Sequence, residues 1–121
     1  MDVPIVNQFH VVMSGDLNDR NCLFGGQVLK WMDETAYVSA SIFAKAEVVT
    51  VSAEKIRFLK PVFAGNLINL KAEVIKSNGL KIIIHTIALA SADKALTWDT
   101  IAEAEFCFVA VDKNNAPKRI R

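Results

Sequence analysis

The chain has 121 residues, of which 52% are hydrophobic and 22% are charged, and its formal net charge is +1. This length suits one domain with a single core over residues 1–121. The near-neutral charge excludes a global field that would recruit nucleic acid or acidic membranes. Because a small monomer rarely exposes so much hydrophobic surface, the composition favours a homo-oligomer.

The number of cysteines and the N-terminal residues indicate the compartment in which the protein is found. Cys22 and Cys107 are too few for a disulfide framework and match no metal-ligand spacing, so we expect a reducing compartment and no metal or redox cofactor. The first residues, MDVP, lack the basic region and apolar run of a signal peptide. No apolar stretch reaches the roughly 18 residues of a membrane-spanning helix. The sequence therefore predicts a cytoplasmic protein with neither nucleic acid nor membrane as a partner.

The hydrophobic pattern predicts a short strand, one long helix and four longer strands. In chain order the predicted bounds are Phe9–Met13 for the first strand, Gly25–Ala44 for the helix, and Val48–Phe58, Leu67–Ile75, Leu80–Ala90 and Ile101–Val111 for the other strands. Turns are predicted at Pro61–Asn66, at Asn78-Gly79, which is typical of hairpins, and at Ala92–Thr97, before a polar tail over Asp112–Arg121.

The strand patterns indicate how the elements pack. Val48–Phe58 alternates apolar and polar residues, which predicts a half-exposed strand, whereas the largely apolar Leu80–Ala90 suits the centre of a sheet. In the last strand, Glu103 and Glu105 share one face, opposite small and aromatic residues. The helix is too apolar to lie on a surface. We therefore predict an α+β domain in which a curved antiparallel sheet wraps around a long central helix.

Asp33 stands apart from the other polar residues of the predicted helix. Those residues form one stripe: Gln27, Lys30, Glu34, Ser41 and Lys45. Side chains three or four positions apart share a helix face, and most such neighbours of Asp33 are apolar. They are Leu29, Lys30, Ala36 and Tyr37. We therefore expect Asp33 to face a largely apolar site and Glu34 to lie on a solvated face. A carboxylate in an apolar site is costly unless it is hydrogen-bonded or paired with a charge, and such carboxylates are often catalytic.

Six short sequence runs are distributed between residue 16 and residue 112, so that their order and spacing extend over most of the chain. They are Asp16-Leu17-Asn18, Leu23-Phe24-Gly25-Gly26, Trp31-Met32-Asp33, Val49-Thr50-Val51, Phe58-Leu59-Lys60-Pro61-Val62 and Phe108-Val109-Ala110-Val111-Asp112. Together they resemble the acyl-CoA thioesterase (acyl-CoA hydrolase) family of hotdog-fold proteins. The resemblance implies the hotdog fold, dimers with a continuous sheet that often assemble into hexamers as trimers of dimers, and hydrolysis of acyl-CoA to free acid and CoA. It also implies that Asn18 and Asp33 are the catalytic pair.

Two positions depart from the family pattern. Asn21 stands where a glycine is common, although asparagine also tolerates a left-handed backbone. The hairpin after Gly79 usually carries small hydroxyl residues near CoA, whereas this chain has Leu80-Lys81-Ile82. The CoA contacts at this hairpin therefore differ from the family's.

Thioester hydrolysis suits the residue types at the start of the helix. Unpaired N–H groups there carry partial positive charge, and glycines permit close approach, so Gly25 or Gly26 can serve as the oxyanion donor. Asp33 can act either as a general base toward water or as a nucleophile that forms a mixed anhydride. Asn18 can orient the water or the carbonyl through its amide.

The helix geometry predicts that the site is shared between subunits. Asp33 lies seven residues after Gly26, which is about 10.5 Å along the helix axis. Reacting atoms must approach to about 3–3.5 Å. One helix therefore does not supply both the oxyanion donor and the carboxylate to one carbonyl, and a neighbouring subunit must supply one of them.

Several other residues have weaker functional signals. The candidates for contacts with CoA and its phosphates are Arg57, Lys60, Gly79, Lys81, Lys118 and Arg119. His10, His85 and Cys22 are interpreted as structural. The acyl length that fits is expected to depend on how Tyr37, Ala40 and Phe43 close the tunnel.

Two other functions stay open. One is a hotdog module that binds acyl-CoA without turnover, although such a module needs neither Asn18 nor Asp33. The other is a dehydratase or hydratase acting on hydroxyacyl thioesters, which the absence of a histidine from the predicted helix disfavours.

Overall fold

The computed structural model describes residues 5–94 and 97–120. Within them, the single α-helix is α1 (Gly25–Ala44), and the strands are β1 (Val6–Val11), β2 (Val48–Phe58), β3 (Leu67–Ser77), β4 (Lys81–Ser91) and β5 (Asp99–Ala110). The N-terminal four residues, Arg121 and part of the predicted turn Ala92–Thr97 lie outside the described residues. The predicted helix is confirmed at both ends, and the bounds of β3, β4 and β5 differ from the predicted ones by one or two residues.

The five strands form one antiparallel sheet in the order β1-β3-β4-β5-β2, which confirms the central position of β4. Alternate residues of β3, β4 and β5 are buried, and α1 packs against all five strands. The largest fully buried apolar side chains come from α1, from the β1–α1 connection and from the sheet: Met32, Val12, Ile68, Leu70, Ile82, Ile84 and Phe108. This arrangement is the predicted long helix wrapped by a sheet.

The ends of α1 differ in how their backbone groups are satisfied. No side chain caps the N-terminus, where Phe24 is the N-cap residue. At the C-terminus, Lys45 adopts a left-handed conformation with φ 52° and donates its N–H to the Ser41 carbonyl. Because the first N–H groups of a helix have no intrahelical acceptor, the uncapped N-terminus leaves donors free for another partner.

The prediction that β2 is half-exposed is wrong. Only Val48 is buried, and the other ten residues of β2 are exposed. The reason is position, because β2 is an edge strand whose outer side pairs with nothing within the described residues. Its register with β5 shifts twice, and Lys55 has φ 53° near the second shift, so β2 bends away from a flat sheet.

The predicted first strand is displaced toward the N-terminus. β1 ends at Val11, because its partner β3 begins at Leu67, opposite that residue. Met13 instead begins a short 3-10 turn over Ser14–Asp16, and its N–H donates to Asp16 Oδ2 at 2.8 Å.

The polar tail is exposed over residues 112–119, as predicted, but its end is buried. Ile120 is only 8% exposed, and its N–H donates to the Gly79 carbonyl at 2.7 Å. The Lys118 N–H donates to the Ala110 carbonyl, so the tail folds back along the end of β5 and reaches the β3–β4 turn at Ile120. Backbone pairing and one buried side chain hold this segment.

Among the described residues, no helix combines the length and the apolar character that crossing a membrane requires.

Candidate active site

The loop before α1 fixes the orientation of the Asn18 amide. Asn18 Oδ1 accepts two backbone N–H groups, from Arg20 at 2.9 Å and from Cys22 at 3.1 Å. The Asn18 N–H also donates to the Cys22 carbonyl at 2.7 Å. Two backbone donors on Oδ1 identify the other amide atom as nitrogen. Because no described residue accepts from Nδ2, the side chain of Asn18 presents a hydrogen-bond donor.

The first two N–H groups of α1 are free as well. The N–H groups of Gln27 and Val28 donate to the Phe24 carbonyl, but within the described part of the chain nothing accepts from Gly25 or Gly26. A Cβ at Gly25 would lie 3.4 Å from the Phe58 ring, and one at Gly26 would lie 2.8 Å from the Phe24 ring. A side chain at Gly26 would therefore displace the Phe24 ring, whereas a Cβ at Gly25 would make an ordinary van der Waals contact. The two glycines leave both donors uncovered.

Asn18 and Gly25 line the same cavity, which we call the Asn18 cavity. Its volume is about 390 Å³, and Gly26 is not part of its wall. The wall also contains Cys22, the end of β2 from Phe58 onward, and buried apolar side chains of α1 and β5. The structure therefore brings together two of the predicted site residues as a pair of hydrogen-bond donors.

Asp33 lies in a second cavity of about 740 Å³, the Asp33 cavity. Asp33 is half-buried, and its Oδ1 accepts a hydrogen bond from Thr50 Oγ1 at 2.9 Å. The expectation of a largely apolar site is wrong, because the two edge strands bring polar side chains to the wall. The lining residues are Asn7, Gln8, Phe9, His10, Asp33, Glu34, Tyr37, Val38 and Thr50. Glu34 is exposed as predicted but belongs to the same cavity.

Thr50 is the site residue that the sequence pattern did not identify. It lies on β2, 17 residues after Asp33, and only the three-dimensional packing brings its hydroxyl to the carboxylate. The available signal was its place in the run Val49-Thr50-Val51, which carried the family resemblance.

The two cavities share no lining residue. The Asn18 cavity contains Phe58 at the end of β2, whereas the Asp33 cavity contains Thr50 near its start. A strand segment of this length spans up to about 26 Å. Within one chain, therefore, the donors and the Thr50–Asp33 pair occupy different places.

The predicted CoA contacts form two groups. Arg57 and Lys60 lie at the end of β2, where they pair with Glu103 at 3.1 Å and Asp99 at 3.6 Å. Gly79, Lys81 and Arg119 lie at the β3–β4 turn, where the Arg119 guanidinium is 3.4 Å from the position that a Cβ on Gly79 would take. Lys118 is in the adjoining tail, whose backbone pairs with the end of β5.

The histidines and cysteines are held by structural contacts. The His10 ring stacks on Trp31, with centroids 4.2 Å apart and planes 9° from parallel, although His10 also lines the Asp33 cavity. His85 is half-buried on β4, opposite Glu73 and Glu105. Burial raises the pKa of the Cys107 thiol, which keeps it protonated at neutral pH.

Asp16 connects the 3-10 turn to the start of α1. Its carboxylate accepts the Met13 N–H and a hydrogen bond from Gln27 Nε2 at 2.7 Å, and its carbonyl accepts the Phe24 N–H. These bonds, the Met13 N–H first, hold the pKa of Asp16 below its ordinary value of 3.8. Asp16 therefore helps to fix the residue that precedes the two free glycine amides.

The described residues contain no group of three or more His, Cys, Asp or Glu side chains arranged to hold a metal ion.

Comparison with known sequences identifies the family. The family model of the thioesterase superfamily matches residues 21–86. An uncharacterized acyl-CoA thioester hydrolase of Buchnera aphidicola is 31% identical over 113 residues, which are 91% of this chain and 84% of the relative. The acyl-CoA thioester hydrolase of Salmonella typhimurium is 29% identical over 111 residues, 89% of this chain and 84% of the relative.

Solved structures agree with the fold. A hexameric thioesterase from Yersinia pestis superposes with a TM-score of 0.90 at 28% identity, over 96% of this chain and 94% of that one. The acyl-CoA hydrolase of Staphylococcus aureus, in complex with butyryl-CoA and CoA, has a TM-score of 0.90 at 27% identity, over 96% of this chain and 71% of that one. These similarities confirm the predicted hotdog fold.

The Staphylococcus aureus enzyme has also been solved as alanine variants of one asparagine, one aspartate and one threonine. The separations between those positions, 15 and then 17 residues, equal those between Asn18, Asp33 and Thr50. From the family match, the sequence relatives and the fold, we conclude that this chain belongs to the thioesterase superfamily.

Proposed function

We propose that this chain, acting as a single hotdog domain over residues 1–121, hydrolyses acyl-CoA thioesters to free acid and CoA in a site built by two copies. The observation that carries the proposal is the separation of its two sets of reactive groups. The Asn18 cavity holds donors for a carbonyl oxygen, and the Asp33 cavity holds the carboxylate. Hydrolysis needs both, and neither cavity of the described chain has both in its wall.

The free edge of β2 offers a way to join the two cavities. When a strand pairs antiparallel with its own copy, the start of one strand lies opposite the end of the other. A two-fold axis near Glu54 would set Thr50 beside the partner subunit's Phe58. The Asp33 cavity of one chain would then open into the Asn18 cavity of the other.

The exposed side chains of β2 support this pairing. Val51 is 50% exposed and Phe58 is 55% exposed, and Val49 and Ile56 are exposed as well. An unpaired edge strand with large apolar side chains is a liability for a monomer and a template for pairing with another copy. Self-association through β2 removes both the apolar surface and the unpaired backbone groups from water.

The proposed roles follow from which atoms are free. The Gly25 N–H and Asn18 Nδ2 donate to the thioester carbonyl and stabilise the negative charge that develops on its oxygen. Thr50 occupies Oδ1 of Asp33, so Oδ2 faces the carbonyl carbon or a water molecule. The free Nδ2 of Asn18 supports the interpretation that it orients the carbonyl as a donor.

Two mechanisms for Asp33 stay open, and single turnover in ¹⁸O-labelled water separates them. If Asp33 is a general base, water attacks the acyl carbon and the label enters the released acid. If Asp33 is a nucleophile, its oxygen enters the acid and the label enters the Asp33 carboxylate, provided that water attacks the Asp33 side of the anhydride.

We also propose a higher assembly and a CoA surface. The hexameric state of the Yersinia pestis relative supports a trimer of dimers. In the β2-paired dimer, Arg57 and Lys60 of one chain would approach Gly79, Lys81 and Arg119 of the other, which lie near the start of β2. These cations would meet the CoA phosphates. The proposed enzyme is cytoplasmic and uses no cofactor, and CoA enters as part of the substrate.

One observation favours a second candidate, a hydratase or dehydratase acting on hydroxyacyl thioesters. His10 lines the same cavity as Asp33, so a histidine and an acid are present together although α1 contains no histidine. Against this candidate, one face of the His10 ring is covered by Trp31.

Release of free thiol from a panel of acyl-CoAs tests the proposal. We expect thiol release that depends on Asp33, and with an enoyl-CoA as substrate we expect CoA and the enoic acid as products, with no hydroxyacyl-CoA. Binding of acyl-CoA with no thiol release would overturn the hydrolase and support the binding module. Formation of hydroxyacyl-CoA that is lost in His10→Ala would support the hydratase.

A further inference from the structure

We propose that the acyl chain of the substrate lies in the Asn18 cavity and that Val28, in the wall of this cavity, limits the chain length that the site accepts. This inference rests on the proposed function. The carbonyl oxygen must lie against the Gly25 N–H and Asn18 Nδ2, and both lie in this cavity. The acyl chain and the sulfur leave the carbonyl carbon in different directions, so only one of them continues into the cavity.

The walls of the two cavities differ in polarity. Behind Asn18 and Gly25, the Asn18 cavity is closed by Val28 and Val62, each 2% exposed, and by Ile101, 4% exposed. An apolar wall of this kind favours an alkyl chain, because burying it removes apolar surface from water.

The Asp33 cavity suits the other substituent of the carbonyl carbon, which is the sulfur with the pantetheine arm of CoA. Its wall carries the side-chain amide of Asn7, the amide of Gln8, whose Oε1 already accepts from Thr35, and the carboxylate of Glu34. An alkyl chain there would lie against groups that need hydrogen-bond partners. The pantetheine arm, which contains two amide groups of its own, matches such a wall.

Val28 is the residue in position to set the limit. It lies three residues after Gly25 on α1, so it is one turn away on the same face and below the carbonyl site. Tyr37, Ala40 and Phe43, which were expected to close the tunnel, do not line this cavity. Tyr37 lies in the Asp33 cavity and Ala40 is fully buried in the core.

The test compares kcat/KM for acyl-CoAs from two to sixteen carbons. For the wild-type enzyme we expect about a fourfold rise for each added methylene until the chain reaches the end of the apolar wall, and no further rise beyond that length. Val28→Phe is expected to move the maximum to shorter chains. Val28→Ala is expected to move it to longer chains. Tyr37→Ala, in the other cavity, is the matched control and leaves the position of the maximum unchanged.

A second measurement does not depend on turnover. Cys22 is half-buried in the wall of the Asn18 cavity, whereas Cys107 is buried. We expect the non-hydrolysable thioether S-octyl-CoA to slow alkylation of Cys22 by iodoacetamide at least about fivefold, as measured by mass spectrometry. The thioether S-methyl-CoA at the same occupancy, which has no free thiol to consume iodoacetamide, is expected to give no comparable protection.

The outcomes separate this inference from the proposed function. If no acyl-CoA of any length is hydrolysed, the proposed function fails. If hydrolysis occurs but the maximum moves with Tyr37→Ala and not with the Val28 variants, the acyl chain occupies the Asp33 cavity and this inference is wrong. Equal protection of Cys22 by S-methyl-CoA and S-octyl-CoA also overturns it.

Discussion

Two adjacent carboxylates, Asp33 and Glu34, line one cavity but differ in what holds them. Asp33 is half-buried and accepts a hydrogen bond from Thr50, whereas Glu34 is exposed. A reacting group must be held in one geometry, because misplacement by a fraction of an ångström already slows a reaction. Of the two, Asp33 therefore has the environment of a reacting group.

We predict that Asp33→Asn lowers kcat at least about 100-fold while the fold and CoA affinity are kept. The amide preserves the shape of the side chain but acts neither as a base nor as a nucleophile, and a positioned base contributes at least about this factor. The loss is expected in kcat more than in KM, as measured by steady-state thiol release. Glu34→Gln is the matched control and should change kcat little. A variant at Asp33 with more than about a tenth of the wild-type kcat would assign catalysis to another group.

Thr50 is predicted to act on kcat through Asp33. Thr50→Val keeps the shape of the side chain and removes the hydroxyl, so Asp33 Oδ1 loses its donor and the carboxylate its fixed orientation. We expect kcat to fall about tenfold, the equivalent of one hydrogen bond to a charged group, with KM nearly unchanged. Thr50→Ser restores the donor and should recover most of the rate. If Val and Ser variants behave alike, Thr50 has only a packing role.

At the scale of elements, the backbone conformation at the start of α1 allows the Gly25 N–H to be removed without breaking the helix. Phe24 has φ −67° and ψ 129°, a conformation that the residue before a proline adopts readily, and Gly25 is the first helical position, where proline is common. Because the Gly25 N–H has no protein acceptor among the described residues, its removal breaks no hydrogen bond of the fold.

This geometry permits a test of the oxyanion donor. Gly25→Pro replaces the N–H hydrogen by the ring Cδ and adds a Cβ and a Cγ, whereas Gly25→Ala adds only the Cβ, 3.4 Å from the Phe58 ring, and keeps the N–H. We predict that the proline variant melts within a few degrees of the alanine variant but has a kcat about 100-fold lower. Equal rates for the two folded variants would show that the Gly25 amide is not an oxyanion donor.

Asp16, in the loop before α1, makes the free energy of unfolding depend on pH. Its pKa in the folded protein lies below 3.8 because it accepts the Met13 N–H and the Gln27 amide. A group with a lowered folded pKa stabilises the fold above its unfolded pKa and loses this contribution as the pH falls through the folded value. We therefore predict that Asp16→Asn lowers the free energy of unfolding at pH 6, and that the difference from the wild type shrinks below about pH 4. Denaturant melts across this range measure it, with the exposed Asp19→Asn as control.

The elements that were predicted correctly depend on local signals. Gly25–Ala44 was visible because a glycine pair and an apolar run are neighbours in sequence, and the alternation of Glu103 and Glu105 assigned the faces of β5. The exposure of β2 depends on which strand lies beside it, and this is a non-local choice. The Thr50–Asp33 bond and the burial of Ile120 also join distant segments. Local patterns do not contain such pairings.

At the scale of the whole molecule, apolar surface lies at both edges of the sheet. β2 exposes Val51 and Phe58, and the opposite edge exposes Phe9 and Val11 on β1. A two-fold dimer through β2 covers only the first edge. The second remains for contacts between dimers, which agrees with the hexamer proposed from the relatives.

The last prediction tests whether two chains build each site. Asn18→Ala and Asp33→Ala enzymes are each expected to be nearly inactive. When equal amounts are unfolded and refolded together, about half of the dimers contain one chain of each kind. In such a dimer, one site receives both replaced side chains, and the other receives an intact Asn18 and an intact Asp33. Activity should therefore recover to about a quarter of the wild-type value.

The experiment must show that mixed dimers form and that activity returns only when the two chains carry different substitutions. Two affinity tags, one on each variant, allow assemblies that contain both chains to be isolated by sequential purification and assayed by thiol release. If the isolated assembly is a dimer, its activity should be about half of the wild-type value, because one of its two sites is intact. A trimer of randomly formed dimers should have about a quarter. A mixture of the Asp33→Ala chain with itself, tagged in the same two ways, is the control and should stay inactive. If mixed dimers form and remain inactive, Asn18 and Asp33 of the same chain work together, and each chain must then bring its two cavities into contact by a rearrangement.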